Sequence, residues 1–480
     1  MTSVAPAIDP ARATPRARPR SNSTPMIRTP GPVRVAAALV LLAGCTASSE
    51  EVRPPDDELF FPTGIAVSPD ETLLFVASAN SDLRYDSGVV SVVDLPTVDR
   101  DVDRLLAGQD RDEADCKPSD TCPTCGPELG VFRGTVRCHE RRYLLSNASV
   151  RTGNFSTDLG VQDTGVGNLR LILPVRGDPS ITWIDWNGAD RRLDCEGGAG
   201  GFALCDDDHR LNRLLDNKEL PAVVEEPYEV YVDSDGEYAM VTHLTTGVVS
   251  LVDSPRAGKP VLADALSGLF ATQFDIGQAT AIAGRSPALP GTLVYVGGRG
   301  RDQNRIQVFS VDRGSRARPV MVPTFFFHLT GLGATSSTDT RAITFNTAGD
   351  RMFVVNRLPP SLQVYDTSLD TTGLPRNRIV GATDLCREAS RVVLADTGDG
   401  ERAYVSCFSD GQVWVIDPRA GVQLEAIIQV GRGPHEMAVS TTHRKLYVSN
   451  FLEDTIAVVD LTPGVPSRNH VVLRIGEPRE

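Results

Sequence analysis

The 480-residue sequence has little lysine, few aromatic residues and no excess of positive charge. Four lysines stand against forty-four arginines, aromatic residues make up 6% of the chain, and the formal net charge is −14. No basic patch interleaved with aromatic residues occurs. Nucleic acid is therefore not expected as a partner, because an acidic surface repels phosphates.

Common catalytic motifs are also missing. The chain contains no G-x-S-x-G elbow, no H-E-x-x-H and no phosphate-binding loop. Outside the N-terminal region, no stretch shows a sustained helical period of apolar residues. These absences predict an all-β chain and leave the type of activity open.

What the chain does contain is a repeat in which a short apolar strand ends in aspartate. The seven aspartates are Asp94, Asp185, Asp253, Asp312, Asp366, Asp417 and Asp460, and successive ones are 91, 68, 59, 54, 51 and 43 residues apart. A self-similar unit of about 40–50 residues is typical of a β-propeller, with one unit per blade. Each carboxylate can accept a backbone N–H and cap the turn that follows its strand.

Further strands accompany each of these aspartates. Residues 433–461 read GPHEMAVSTTHRKLYVSNFLEDTIAVVDL, which divides into three strands. HVVLRI at 470–475 is interpreted as the fourth, outer strand of the last unit, and residues 57–62 are the alternative. Residues 62–95 show the same order, starting from PTGIAVSPDETLLFVASAN.

These segments resemble the YVTN-type β-propeller repeat, whose pattern is P-x-G-I-A-V-S-P-D, then L-Y-V-S-N, then V-x-V-I-D. The resemblance and the count of seven predict a seven-bladed β-propeller of four-stranded antiparallel blades over residues 59–480. The family includes envelope proteins of unknown role, lactonases and propellers tied to haem enzymes, so the resemblance implies a fold more than an activity.

Two Cys-rich loop insertions, at about 99–140 and 187–226, interrupt blades one and two after their third strands. We expect them to neighbour one another. Loops pinned by disulfides on a rigid scaffold often carry binding specificity, so we expect them to recognise a partner.

The N-terminal region predicts export. Residues 26–44 combine arginines with an apolar stretch of nine residues, which suits a signal peptide and is too short to span a bilayer. Leu42-Ala43-Gly44-Cys45 resembles the bacterial lipobox, which implies lipidation of Cys45 and anchoring to the bacterial envelope, at the outer membrane. Residues 1–25 are interpreted as an over-extended start, and 45–58 as the lipidated cysteine with its tether. An ordinary signal peptide with an incidental cysteine is the alternative.

Eight further cysteines in an exported chain indicate disulfides. We expect Cys195 to pair with Cys205, and Cys386 with Cys407. The remaining four are expected to form two bridges of open connectivity; they are Cys116, Cys122, Cys125 and Cys138. With His139, these four could instead bind zinc, and the C-x-x-C of Cys122 and Cys125 could be a redox dithiol.

Charged residues recur where the first strand of each blade begins, which is where a propeller opens its central channel. The predicted ligand-binding ring is Asp158, Glu229, Arg341, Glu388 and Glu436, with Gly64 in blade one and Gln278 or Ala279 in blade four. Clustered carboxylates attract cations, so a cation such as Ca²⁺ is one hypothesis for this ring, and carboxylates solvated or paired with Arg341 are the other. His435 beside Glu436 is a candidate acid–base pair.

Together these patterns predict a monomeric, envelope-anchored propeller that acts as a binding or scaffold module for a protein or a small ligand. Two alternatives stay open. One is an enzyme of lactonase or lyase type at the channel mouth, and the other is an accessory propeller of a redox or metal system.

Overall fold

The computed structural model describes residues 52–107, 125–128, 130–195, 202–212, 223–272, 275–285, 292–300, 304–314, 318–329, 338–419 and 421–478. The described residues belong to the compact unit Ser49–Glu480. They are mostly β-strand, and no described helix is long and apolar enough to cross a bilayer.

The strands are numbered in chain order. The first fifteen are β1 (Pro62–Val67), β2 (Leu73–Ser78), β3 (Gly88–Asp94), β4 (Cys125–Pro127), β5 (Val136–Cys138), β6 (Val150–Thr152), β7 (Gly160–Gly165), β8 (Asn168–Val175), β9 (Ser180–Asn187), β10 (Arg192–Asp194), β11 (Arg210–Leu211), β12 (Pro227–Asp233), β13 (Tyr238–His243), β14 (Val249–Asp253) and β15 (Val261–Leu266).

The remaining strands follow the same order along the chain. They are β16 (Gln278–Gly284), β17 (Leu293–Gly300), β18 (Arg305–Asp312), β19 (Val320–His328), β20 (Thr338–Phe345), β21 (Arg351–Leu358), β22 (Pro360–Asp366), β23 (Arg378–Asp384), β24 (Ala389–Asp396), β25 (Glu401–Cys407), β26 (Gln412–Asp417), β27 (Gln423–Gln429), β28 (Pro434–Ser440), β29 (Lys445–Asn450), β30 (Thr455–Asp460) and β31 (His470–Ile475). One α-helix, α1 (Leu95–Leu106), and three 3₁₀ turns at Gly130–Phe132, Glu140–Arg142 and Asp207–His209 complete the described elements.

The sheets are antiparallel meanders, in which most strands pair with the next along the chain. The first sheet has the order β1-β2-β3-β6, and the second runs from β7 to β10 with β11 beside β9. Two further sheets contain β12 to β15 and β24 to β27. An eight-stranded sheet joins two meanders, β16 to β19 and β20 to β23, through pairing of β17 with β20. The last meander, β28 to β31, is extended by β5 and β4.

Burial along the strands reflects packing of meander against meander. The second strands β2, β13 and β29 are buried at every residue, because both faces of each are covered by a neighbouring sheet. The outer strands β23 and β27 carry many exposed side chains instead. Among the described residues, seven buried apolar clusters lie between consecutive meanders, and one of them packs the first sheet against the last.

The first and last meanders are neighbours. Strand β1 contacts β28, and the carboxylate of Glu71 accepts hydrogen bonds from Ser440, Thr441 and Thr442. The chain therefore returns to its first sheet after its last one. Strand β31 pairs with β30, which confirms the prediction that residues 470–475 form the outer strand of the last meander.

Several of the repeated aspartates are turn caps, as predicted. Asp366, Asp417 and Asp460 each accept the backbone N–H two residues further on. Asp185 and Asp253 also form ion pairs, with Arg170 and Arg313 respectively.

Helix α1 corrects the expectation of a chain without helices. Asp94, the first repeated aspartate, is its N-cap and accepts the N–H of Thr97, and Pro96 follows in the first turn. Val98 and Val102 are buried on the face that packs against the sheets. The helical period was missed because it extends over only twelve residues that include five charged ones.

The described parts of the two insertions pair with different sheets, although Arg191 of the second forms an ion pair with Asp94, the N-cap of the helix that leads into the first. In the first insertion, β5 pairs in parallel with β31 of the last meander. In the second, β10 and β11 pair with β9, and Leu204 bridges Arg151 of β6.

Candidate functional site

A pocket of about 360 Å³ opens at one end of the inner strands. Thr63 and His435, in β1 and β28, contribute from the starts of inner strands. Leu244, Phe408 and Phe451 directly follow the second strands β13, β25 and β29. In an antiparallel pair, the start of one strand lies beside the end of its partner, so these residues all lie at the same end of the meanders. This pocket is therefore one mouth of the central channel.

Arg391 of β24 is the centre of a buried charged cluster beside this mouth. Its Nε lies 2.5 Å from Oε2 of Glu436, and its Nη1 lies 2.5 Å from Oε1 of Glu229. The three residues are only 5%, 9% and 7% exposed, respectively. Inner strands β12, β24 and β28 therefore converge on one guanidinium group.

Two of the acids also connect neighbouring inner strands. Asp158 Oδ2 accepts the N–H of Val230 at 2.9 Å, and Glu229 Oε2 accepts the N–H of Ile282 at 3.1 Å. The acids thus hold the inner strands in register with one another.

The environment shifts the protonation of these acids. Burial raises the pKa of Asp158 and raises that of Glu229 well above its usual range, although the charge of Arg391 opposes both shifts. Burial likewise raises the pKa of Glu436 to about 7. Burial alone would lower the pKa of Arg391, but Glu229 and Glu436 raise it, so this arginine stays charged.

Three of the five predicted ring residues, Asp158, Glu229 and Glu436, come together in this way. The side chains of Arg341 and Glu388 do not take part in the cluster, although the carbonyl oxygen of Arg341 accepts a hydrogen bond from Nη1 of Arg391 at 3.2 Å and both residues line the pocket. Arg341 forms an ion pair with Asp339, with 2.7 Å between Nε and Oδ1. Glu388 precedes β24 in a left-handed conformation with φ 55°, and Ser409 donates a hydrogen bond to its exposed carboxylate.

In β24 the residue at the ring position is Arg391, three residues after Glu388. Aligning the strand starts in the sequence did not identify it. Strands β12, β24 and β28 each have a one-residue bulge near the start, for example between Ala389 and Val392 of β24. In these three strands the ring residue directly precedes the residue at which regular pairing resumes, which is Val392 in β24. In β16 the hydrogen bonds indicate the equivalent position: Asp158 accepts the N–H that follows Glu229, and Glu229 accepts the N–H of Ile282, so the position is Ala281 and not Gln278 or Ala279.

The positively charged guanidinium of Arg391 occupies the position at which the first hypothesis for the ring expected a bound cation. Among the residues described, no group of three His, Cys, Asp or Glu side chains is arranged to hold a metal ion. The carboxylates are paired with arginine, as in the second hypothesis for the ring, although the arginine is Arg391 and not Arg341.

His435 lines the pocket but does not share a partner with Glu436. Its Nδ1 lies 3.1 Å from the carbonyl oxygen of Thr63, whereas the Glu436 carboxylate binds Arg391 and the N–H of Met437. Burial, with the nearby charge of Arg391, lowers the pKa of His435 to about 3. Such a weak base is poorly matched to proton transfer near neutral pH, so the geometry does not favour the predicted acid–base pair.

Aromatic and basic side chains form the rest of the pocket wall. The aromatic ones are Phe155, Tyr228, Phe408 and Phe451, all half-buried. The guanidinium carbons of Arg341 and Arg391 lie 6.0 and 5.8 Å from the centre of the Tyr228 ring, within the range of cation–π contact.

The described cysteines form disulfides. Cys195 pairs with Cys205 and Cys386 with Cys407, as predicted. Cys125 pairs with Cys138, which fixes one bridge of the four-cysteine set.

The Cys125–Cys138 bridge is incompatible with both alternatives for the Cys-rich loop, the four-thiol zinc site and the redox dithiol. A zinc site that uses all four thiols does not form, and Cys125 is not the partner of Cys122 in a dithiol. Nδ1 of His139 instead accepts the N–H of Arg141. Cys116 and Cys122 lie outside the described residues.

Comparison with known proteins identifies the fold. No protein-family model and no curated protein matches the chain. Among solved structures, a putative 6-phosphogluconolactonase from Bacteroides fragilis NCTC 9343 is similar at 12% identity and a TM-score of 0.53, over 82% of this chain and 92% of that one. The Cps50 (Swd1) β-propeller domain of Myceliophteria thermophila is similar at 12% identity and a TM-score of 0.50, over 84% and 97%.

At such identities the likeness establishes architecture alone. The chain is a β-propeller, as its repeat predicted.

Proposed function

We propose that this chain is a closed, seven-bladed β-propeller of the YVTN-repeat type that binds a small ligand at one mouth of its channel. The seven apolar clusters between meanders and the contact of β1 with β28 support the count and the closure. Closure removes exposed sheet edges along the ring, which is the usual reason for this architecture.

The observation that carries the binding role is the pocket itself. It is concave, of a volume suited to a small molecule, and lined by hydroxyl and charged side chains together with four aromatic ones. Its lining residues come from separate meanders, and the ion pairs of Arg391 connect three of the inner strands beside it.

The location of the protein is part of the proposal. Cys45 lies outside the described residues, and the lipobox-like Leu42-Ala43-Gly44-Cys45 supports anchoring by lipid to the bacterial envelope, at the outer membrane. Ligand binding would then occur at that membrane.

A pocket-blocking variant tests the binding role. Ser81 lines the pocket, and Ser81→Trp should fill part of it, whereas Ser146→Trp places the same side chain at an exposed position away from the pocket. Both variants and the parent protein are heated with a panel of sugars, nucleotides, amino acids and organic acids. We expect compounds that raise the melting temperature of the parent and of Ser146→Trp to have no effect on Ser81→Trp. Stabilisation that survives in Ser81→Trp, or its absence with every compound, would contradict the proposal.

A further inference from the structure

Most of the charged side chains that line the pocket are positively charged. Four are arginines, namely Arg176, Arg341, Arg357 and Arg391, and one is an acid, Glu388. The wall of the pocket thus presents mainly guanidinium groups, although the whole chain is acidic.

Three of the four arginines have carboxylate partners that do not line the pocket. Arg176 is paired with Glu226, and Arg341 with Asp339. Arg391 is paired with Glu229 and Glu436, as described above. These carboxylates hold the arginines in place from outside the cavity.

Arg357, at the end of β21, differs from the other three. Among the residues that the structure describes, it has no carboxylate within ion-pairing distance, and its Nη2 donates to Oγ of Ser390 at 2.8 Å. Four buried guanidinium nitrogens of the described pocket-lining arginines have no hydrogen-bond partner, namely Nε of Arg176, Arg341 and Arg357 and Nη2 of Arg391. Arg176, Arg341 and Arg391 each have an ion-paired carboxylate, so among the described residues Arg357 is the one that combines an unsatisfied N–H with no such partner. An unsatisfied buried N–H group is costly unless a ligand supplies an acceptor.

The electrostatics agree with this geometry. Burial, and next the positive charge of Arg341, lower the pKa of Arg357, and the opposing effects of Asp339, Tyr228 and Glu388 are smaller. A carboxylate or phosphate accepts two parallel hydrogen bonds from a guanidinium group and would supply both charge and acceptors.

From these contacts we infer that the pocket binds a small organic anion, with a carboxylate or phosphate group on Arg357 and a flat apolar body against the aromatic wall. Phe408, Phe451 and Tyr228 provide that wall. The inference rests on the proposed binding function and names the chemical class of the ligand.

The test uses four probes that share one aromatic body: 2-naphthoate, 2-naphthyl phosphate, 2-naphthamide and 2-naphthamidine. Their affinities for the purified protein are measured by isothermal titration calorimetry. We expect one or both anions to bind at least about tenfold more tightly than the amide, since charge-assisted hydrogen bonds are the stronger class. The ratio of the two anions then distinguishes a carboxylate ligand from a phosphate ligand.

Variants at Arg357 test whether this residue is responsible for the preference for anions. Arg357→Gln should weaken anion binding about tenfold or more and leave amide binding unchanged, and Arg357→Lys should restore part of the anion affinity. The matched control is Arg104→Gln, on the exposed face of α1, which should behave like the parent protein. Circular dichroism checks that each variant is folded.

The outcomes separate this inference from the proposed function. Tightest binding of the amide or amidine, equal loss of all four probes in Arg357→Gln, or no binding by any probe would overturn the anion inference. Amide or amidine binding that Ser81→Trp abolishes would still support a ligand-binding pocket. Probe binding that Ser81→Trp leaves intact would instead remove the proposed function.

Discussion

At the scale of single residues, the protein buries more acid than its one central arginine can neutralise. Asp158, Glu229 and Glu436 surround Arg391, and burial raises the pKa of all three acids. A buried ion pair is weak support for stability, because desolvation offsets much of the attraction between the charges. The cluster is better explained as a device that fixes the inner strands around the channel mouth.

The raised pKa of Glu436 predicts a pH dependence of stability. Its pKa is about 7 in the folded protein against 4.5 as an ordinary value, so the folded state keeps a proton that the unfolded chain loses. Stability from this group is complete below about pH 4.5 and is lost as pH rises to about 7, by at most about 3 kcal/mol. Urea unfolding from pH 4.5 to 8 should therefore show a smaller loss of stability in Glu436→Gln than in the parent.

The exposed Glu225→Gln provides the control for this comparison, and it should follow the parent at every pH. If Glu436→Gln has the same pH profile as the parent, Glu436 does not titrate in this range.

The ring residues show how much of the buried charged cluster could be predicted from the sequence. Asp158, Glu229 and Glu436 could be predicted because each directly precedes an apolar residue at the start of a strand. Arg391 was missed because Glu388 provided an acid at the expected start of β24, three residues before the position that directly precedes Val392. Which side chains pair across the ring depends on which inner strands face each other. The arrangement of all the meanders determines this, and the local sequence pattern of one strand does not.

At the scale of elements, strands were easier to predict than the segments between them. Alternation and turn residues are local, so β28 to β31 could be placed from residues 433–475 alone. Helix α1 and the docking of β5 on β31 depend on contacts between segments far apart in sequence. This is why the first insertion could be recognised by its length while its position could not.

One contact between turns is expected to stabilise the junction of the first and last meanders. Glu71, between β1 and β2, accepts hydrogen bonds from three residues that follow β28 or end it. Glu71→Ala should lower the free energy of unfolding by about 0.5–1.5 kcal/mol, because it removes hydrogen bonds to donors that are exposed or only partly buried and that water can then satisfy. Hydrogen exchange should become faster in residues 62–78 and 434–450 and stay unchanged in β12 to β15.

Glu225→Ala, at an exposed position, is the matched control for this variant. Exchange that accelerates evenly over all meanders would show that Glu71 has no special role at the junction.

At the scale of the whole molecule, the proposed lipid anchor decides where the pocket works. In a Gram-negative host grown with an alkyne-labelled palmitate, the full-length protein should carry the label and sediment with membranes. Cys45→Ser should lose the label and be recovered in the soluble fraction, because acyl chains supply the membrane affinity. Ser48→Ala should keep both properties. Label retained by Cys45→Ser, or absent from the parent, would contradict the lipobox interpretation.

The return of the chain to its first sheet has a consequence for quality control during synthesis. The pocket needs Thr63 from the first meander and Phe451 from the last, so no partly synthesised chain can possess it. A ligand that binds there stabilises only complete molecules, by a free energy that grows with the logarithm of its concentration over its dissociation constant. Occupancy of the pocket would thus report that translation and folding have both finished.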